Sequence, residues 1–384
     1  MLFSKKKNIF FHLQNICPRR LLDIERVKRY MEANGYKVVK RSNKASKLFF
    51  FGCAFNEHNE NMSWEKLMET AEGFDEIFVL EGIADIKENE LNNLSFMDKH
   101  KIIKCRDFEK LDRFFCKSVP YKNFSEVNQP FIQESEQGNV PRKGHNKFYI
   151  QVGHGCNDQC TYCGDKLIIG EIKSKPIENV LFEVKKGLNS GYSDIELIGD
   201  DLGAYGIDIE TSIAELLETI ISIDQHFNLY LHEMNIRYLI PYIDKIDDIL
   251  KSNKVKSMVL AFQSGSTRIL KLMGRKYTRE DALSVFTSLR KHKNVAKRFH
   301  AIIGFPTETD LDFQDTLSII EQSDFASGSL FIYQDRRYSK AYHIQPKIPV
   351  SEVEHRVNYG IQELEKMKFR CNRLPDKIMV FKEK

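Results

Sequence analysis

Along the 384 residues, short apolar runs alternate with stretches in which apolar positions recur every three to four residues. The short runs predict strands, and the 3.6-residue periodicity predicts helices. In the first part of the chain the strands fall at Ile9–Leu13, Leu48–Gly52, Glu76–Leu80 and Lys101–Cys105, with helices at Leu21–Ala33, Ser63–Ala71 and Phe108–Phe115. This alternation predicts a small Rossmann-like parallel α/β domain over residues 1–117. Residues 118–146 lose the pattern and carry Pro120, Pro130 and Pro141, which marks a linker.

From residue 147 the alternation restarts with longer periods. Strands are expected at Phe148–Val152, Asp194–Ile198, Leu229–His232, Ser257–Phe262, Phe299–Ile303 and Ser329–Tyr333. Helices are expected near 176–190, 210–223, 239–252, 279–291 and 309–322. Six such units in roughly 200 residues are too few for a closed eightfold barrel of ~250 residues and predict a partial (β/α)6 barrel of TIM type over 147–345. Residues 346–384 read as a short helical tail.

Composition changes little in this picture. The chain is 42% hydrophobic, enough for ordinary cores, and 58 basic residues nearly balance 54 acidic ones. No strong pull toward nucleic acid or membrane follows from that balance. The basic run Lys37–Lys47 reads as a solvated face, and no uncharged apolar run is long enough to span a bilayer. Eight cysteines in a chain with no secretory leader imply a reducing cytoplasm, where thiols bind metal or stay reduced.

Three of those cysteines, Cys156, Cys160 and Cys163, fall within Gly153–Cys163, immediately after the first strand of the expected barrel. Three thiolates are one fewer than a closed structural zinc site or an electron-transfer cluster requires. On a four-iron cluster they leave one iron open to an exogenous ligand. Zinc completed by His154 and buried inert thiols are the bland alternatives. Chemistry in βα barrels sits at the C-terminal strand ends. Polar groups lie at the other strand ends too: Gly199-Asp200-Asp201, His232-Glu233, Gln263-Ser264, Gly304-Phe305-Pro306 and Tyr333 to Arg336.

The cysteine loop resembles the signature of the radical S-adenosylmethionine (SAM) superfamily, and further segments resemble its methylthiotransferases. These are Gly155 to Cys163, Ser174 with Pro176, Ile195 to Gly199, Gln263 to Ser266, Met273 to Thr278, and Gly304 to Thr309 with Thr307 in place of a glycine. Cys17 to Glu25 and Asp201 to Gly206 resemble the branch that modifies a ribosomal-protein aspartate. The resemblance implies a [4Fe-4S] cluster on Cys156, Cys160 and Cys163, with SAM on the open iron, cleaved reductively to a 5′-deoxyadenosyl radical. It implies SAM contacts from Gly199, Asp200, Gln263, Ser264, Gly304 and Pro306. Asp200 has a second reading as a helix cap. By strand-end position, Tyr205, His232, Glu233, Tyr333 and Arg336 point toward substrate at the barrel mouth.

The chain departs from the family in two places. Methylthiotransferases bind a second iron-sulfur cluster through three N-terminal cysteines; Cys17 and Cys53 match two, but the third position is Ile83. Cys105 and Cys116 are the other thiols in that domain. The β-rich TRAM domain that closes the family's chains finds no counterpart in the residues after 345. The resulting expectation is a cytoplasmic radical SAM enzyme that methylthiolates a peptide or protein, fed electrons by a reductant such as flavodoxin or ferredoxin, with no membrane partner. RNA is the less favoured substrate, since no long basic stripe with interleaved aromatics is visible. Two alternatives stand beside this reading: a radical modification without sulfur transfer, and a non-catalytic iron-sulfur or zinc protein.

Overall fold

The computed structural model describes residues 6–93, 100–124, 127–131 and 147–383. Most of the expected linker, 132–146, lies outside the described residues. The chain divides into two compact units, one of residues 1–145 with 164–169, the other of 146–163 with 170–384.

The first unit is a five-stranded parallel sheet in the order β2-β1-β3-β4-β5. Its strands are β1 (Asn8–Gln14), β2 (Lys37–Val39), β3 (Lys47–Gly52), β4 (Glu76–Leu80) and β5 (His100–Ile103). Helix α1 (Pro18–Ala33) follows β1, and α2 (Glu57–Ala71) follows β3. Both sheet faces are covered, so the strands read as continuous apolar runs. Phe11, Phe49, Phe51 and Phe78 pack with Leu21, Ile24 and Val27 of α1 on one face. Phe50, Ile77, Val79 and Leu67 of α2 build the core on the other. The run at Lys37, expected as a solvated face, supplies edge strand β2. It is too short and too basic to show a strand period by itself.

The strand order reverses between β1 and β3, and open parallel sheets bind ligands at that switch point. Cys17 follows β1, Cys53 follows β3, and the Cys53 amide donates to the Gln14 carbonyl at 3.1 Å. Ile83 is different. It is fully buried in the apolar core, against the α-carbon side of Gly52, where a Cβ would meet its Cγ2 at 2.7 Å.

The second unit is an eight-stranded sheet in the order β12-β13-β11-β10-β9-β8-β7-β6. Six parallel strands alternate with helices: β6 (Lys147–Gln151), α3 (Ile177–Asn189), β7 (Asp194–Ile198), α4 (Ile213–Ile221), β8 (Asn228–Met234), α5 (Ile243–Lys251), β9 (Val255–Gln263), α6 (Arg279–Leu289), β10 (Ala296–Ile303), α7 (Asp310–Gln322) and β11 (Phe325–Ile332). The tail is not helical alone. Helix α8 (Val350–Lys366) is followed by a hairpin, β12 (Phe369–Leu374) and β13 (Lys377–Lys382), and β13 pairs antiparallel with β11. Ile378 and Val380, fully buried, add to the barrel core and alternate with exposed or half-buried positions. Among the described residues, no helix is long and apolar enough to cross a membrane.

Candidate functional site at the cysteine loop

The loop leaves β6 through Gly153 and His154, which pair antiparallel with Lys173 and Ser174. At Gly155 the backbone turns with φ +83°, and a Cβ there would lie 1.9 Å from the Glu171 carbonyl oxygen, so no other residue fits. The Gly155 amide donates to Asp200 Oδ2 at 2.6 Å, and the Cys156 amide donates to the Gly170 carbonyl at 3.0 Å. Asp200 therefore holds the loop backbone. The capping role falls to its neighbour: Asp201 accepts from the Gly203 amide at 3.1 Å and from the Asn235 amide at 3.1 Å. Burial pushes the Asp201 carboxyl up to about 6, and its Oδ2 lies 3.8 Å from Cys156 Sγ.

Asp158, inside the cysteine loop, is the hub that sequence reasoning left unassigned. Its carboxylate accepts from Asn235 Nδ2, Arg237 and, at 3.3 Å, the Tyr238 hydroxyl, with Arg275 Nη1 at 3.8 Å. Arg275 in turn donates to the Tyr162 hydroxyl at 2.8 Å. The same chain stretch contributes Gly274, at φ +74°, which lets the Gln159 carbonyl approach. Thr161 closes the loop, its amide donating to Met273 and its hydroxyl to Leu272. The signal was present in the Met273–Thr278 segment as a resemblance, but nothing in a linear reading ties Arg275 to Asp158.

The three thiols thus share one rigid loop. Among the described residues, no three Cys, His, Asp or Glu side chains converge as donors to a single metal ion. A structural zinc site takes four protein donors, one more than the loop's three thiols supply. A four-iron cluster makes a different demand, because each thiolate takes a separate iron. Burial pushes the Cys156 thiol well above its ordinary range, so ligation there would release a proton. The donor set and the braced loop fit a three-thiolate [4Fe-4S] site.

The first unit fits its expected cluster less well. Cys17 is exposed, and Cys53 is half-buried with its thiol pushed up to about 12, by burial first and then by the nearby Cys17. Cys105 is buried beyond β5, and Cys116 is exposed. With Ile83 in the core, the three-cysteine set that the resemblance implies is not assembled.

The remaining strand-end residues divide. Gln263 sits at a register shift of β9 with φ +67°, a conformation in which a non-glycine residue is strained and which clusters at functional sites. Ser264 is fully buried and accepts from the Ser266 amide, so it shapes the turn rather than meeting a ligand. The Gly304 amide donates to Glu308 Oε2 at 2.8 Å, and burial pushes the Glu308 carboxyl up to about 8. Glu308 also faces Arg356 of α8 at 3.5 Å, which ties the C-terminal helix to the turn containing buried Phe305 and Pro306. Tyr205 is buried, its hydroxyl bound to the Lys175 carbonyl at 2.6 Å; as a substrate contact it is withdrawn. Arg336 is also buried, with its guanidinium 4.4 Å from the Tyr338 ring centroid. Tyr333 is half-buried and donates to Asp335.

His232 and Glu233 fall at a second register shift, between Leu231 and Glu233. Such irregularities re-aim side chains beside functional sites. His232 lies 3.9 Å from Glu196 Oε1 and its Nδ1 lies against Glu233. Glu196 pairs with Lys147 at 2.8 Å. His300 belongs to the same environment; burial lowers its pKa, with Glu233 opposing. Glu196, Lys147 and His300 were missed in the sequence because none lies at the C-terminal end of its strand, where candidate residues were sought.

Thr307 has φ +68°, rare for a β-branched residue, at the position where the family resemblance expects glycine. Arg268 compensates, donating to the Thr307 carbonyl at 2.7 Å and its Oγ1 at 3.1 Å. Thr307→Gly relieves the strain and loses one of these bonds, so its unfolding free energy should stay within ~1 kcal/mol of the parent. Thr307→Val keeps the strain and loses the bond, and should cost ~1–2 kcal/mol in a urea titration. Equal values for the two would contradict this account.

A loop of three thiols after the first strand of a partial βα barrel defines a radical SAM domain, and residues 150–320 match the family model described as the Radical SAM superfamily. Residues 150–320 thus carry a radical SAM domain, a domain whose cofactors are a [4Fe-4S] cluster and SAM, and the chain is similar to the methylthiotransferases of that superfamily. It is 34% identical over 251 residues to a tRNA-2-methylthio-N(6)-dimethylallyladenosine synthase of Clostridium botulinum, covering 63% of this chain and 55% of the relative. It is 27% identical over 379 residues to the protein of that name from Thermoanaerobacter pseudethanolicus, covering 90% and 75%. The chain thus spans about half the length of the first of these relatives. Among solved structures, the radical SAM methyltransferase TsrM of Kitasatospora setae, with cobalamin and a [4Fe-4S] cluster bound, superposes with TM-score 0.59 at 12% identity, covering 96% of this chain and 81% of that one. The cobalamin-dependent radical enzyme OxsB gives 0.53 at 13% identity, covering 94% and 56%. At such identities the likeness concerns the fold alone.

Proposed function

We propose that the chain is a radical SAM enzyme that methylthiolates an unactivated carbon of a macromolecular substrate, with RNA as the favoured substrate class. The braced loop of Cys156, Cys160 and Cys163 at the end of β6 carries this reading. A cluster held by Cys156, Cys160 and Cys163 would supply the reductive cleavage of SAM from which radical chemistry on the substrate starts. The protein's own part is positional. Asp158 and Asp200 fix the loop, Gln263 holds a strained backbone at the end of β9, and Glu308 holds the Gly304 amide. His232, Glu233, Glu196 and Lys147 provide a polar wall against which a substrate is oriented.

The relatives' names favour RNA, because those proteins act on a tRNA adenosine. A peptide or protein is the second reading, supported by the segments Cys17–Glu25 and Asp201–Gly206, which are similar to the protein-modifying branch. An external one-electron reductant, flavodoxin or ferredoxin in kind, belongs to either reading, as do Cys17 and Cys53 as ligands toward a second cluster if a further donor is supplied.

Anaerobically reconstituted protein, supplied with dithionite, inorganic sulfide as the sulfur source and an excess of methyl-labelled SAM, is expected to form 5′-deoxyadenosine and to move label into added bulk tRNA. Mass spectrometry of the digested RNA should show a methylthio group in place of one hydrogen. Formation of 5′-deoxyadenosine with no label in RNA or peptide would favour radical chemistry without sulfur transfer. Absence of 5′-deoxyadenosine would overturn the enzyme reading itself.

A further inference from the structure

The segment from Tyr333 to Lys347 follows β11 and runs back beside the cysteine loop. The Ala341 amide donates to the Thr161 carbonyl at 2.8 Å, and Lys340 Nζ donates to Gln159 Oε1 at 3.0 Å. Ala341 is fully buried in a cluster with Ile269, Met273 and Phe305, against which Tyr162 packs. The base of the segment is therefore anchored to the stretch that carries the thiols.

Its outer side has a period of three. Arg337, Lys340 and His343 are exposed, while Ser339 and Ala341 between them are buried. Lys340–His343 is a 3₁₀ turn. With three residues per turn, Lys340 and His343 stand one above the other, and exposed Arg337 lies just before the turn; these three make up the segment's basic ridge.

The charge on the ridge is not neutralised. Lys347 is spent internally, on Asp335 at 2.7 Å and the Ala341 carbonyl at 2.9 Å. Among the described residues, no carboxylate pairs with Arg337 or Lys340. Four Lys and Arg against one Asp give the segment +3, compared with +4 for the whole chain. Tyr338, Tyr342 and His343 interleave with the cations, and the Tyr342 and His343 rings meet edge to face at 5.4 Å. A sequence scan for a long basic stripe passes over this pattern, because only every third residue projects outward.

We propose that the Arg337–Lys340–His343 ridge is a grip for single-stranded RNA, in which the two cations neutralise phosphates and His343, backed by Tyr342, stacks on a base. Exposed cations alone would serve any polyanion; the interleaved rings specify nucleic acid, whose bases have faces to stack. The proposal rests on the RNA reading above and places the strand beside the cysteine loop. It assigns the grip to the barrel itself.

The test is fluorescence anisotropy with a labelled 12-nucleotide oligoadenylate and the reconstituted full chain, across a series of salt concentrations. Arg337→Gln with Lys340→Gln removes two phosphate contacts, so the slope of log K against log salt should become shallower by about 1.4. Affinity at low salt should fall roughly tenfold or more. His343→Ala should weaken binding several-fold with the slope unchanged, as loss of a stacking contact does. All three residues are exposed, and an unchanged melting temperature confirms that each variant is folded.

No binding by the parent protein, or an unchanged slope in the double variant, would overturn the proposal. A polyglutamate peptide that displaces the RNA at equal charge concentration, together with no effect of His343→Ala, would show a surface for acidic polypeptides and overturn it as well. Formation of 5′-deoxyadenosine, measured on the same preparations without RNA, separates the two levels. If the parent cleaves SAM but does not bind RNA, the grip fails alone; if it binds RNA through the ridge but never cleaves SAM, the enzymatic reading fails alone.

Discussion

Cys160→Ala is expected to reduce 5′-deoxyadenosine formation to background and to remove most of the iron from reconstituted protein, while leaving the fold intact. Cys160 is half-buried on the loop, and its carbonyl accepts from the Cys163 amide at 3.2 Å. The contacts that fix the loop come from its neighbours: Asp158 and Thr161 bind distant segments through their side chains or backbone. A smaller side chain at 160 leaves all of these in place. The circular dichroism spectrum and melting temperature should therefore match those of the parent. Two thiolates would hold a four-iron cluster poorly, and the open-iron chemistry depends on three. Retention of full iron together with turnover would refute the assignment of Cys160 as a ligand. Cys17→Ala is the matching comparison, expected to leave 5′-deoxyadenosine formation in place.

The barrel strands could be read in the sequence because each alternates between core-facing and wall-facing residues, or runs apolar where both faces are covered. Asp194–Ile198 is an example: Ile195 and Leu197 are fully buried and Glu196 points the other way. An edge strand and a hairpin escaped for opposite reasons. β2 has three residues and sits at an edge, where packing imposes no pattern. The hairpin of β12 and β13 carries a clear alternation, but its role depends on pairing with β11, nearly fifty residues upstream. Local periodicity does not encode a partner.

The site divides along the same line. Its candidate ligands, Cys156, Cys160 and Cys163, lie close together in the chain and were legible as a spacing. Its supports are distant: Asp200 reaches Gly155 across 45 positions, and Arg275 stacks near Tyr162, 113 positions away. Strand-end position points Tyr205 toward substrate and the family resemblance gives Ser264 a SAM contact, yet both turn inward to satisfy backbone groups. Strand ends determine where a loop emerges, while the fate of each side chain is decided by the hydrogen-bonding groups it must satisfy.

Asp158→Ala should be the most destabilising single change in the barrel that leaves no cysteine altered. The carboxylate is almost wholly buried, and so is the Arg275 side chain near it. Removing one partner of a buried charge pair costs ~3–5 kcal/mol, because the remaining ion is left without compensation. For a unit of this size that corresponds to a fall in melting temperature of roughly 8–15 °C. Arg237 and Tyr238 also lose their acceptor, but Arg237 reaches solvent and pays less. The decisive comparison is the double variant Asp158→Ala with Arg275→Leu. If the cost of the single change is the orphaned guanidinium, deleting that group should recover part of the loss, and the double variant should be less destabilised than the sum of the two single changes. Strict additivity would mean that the two side chains act independently and that the loop is held by its backbone bonds alone. Iron content distinguishes stability from function in the same proteins: the double variant should regain folding yet still bind iron weakly, because Asp158 also carries the Asn235 contact that sets the path between Cys156 and Cys160.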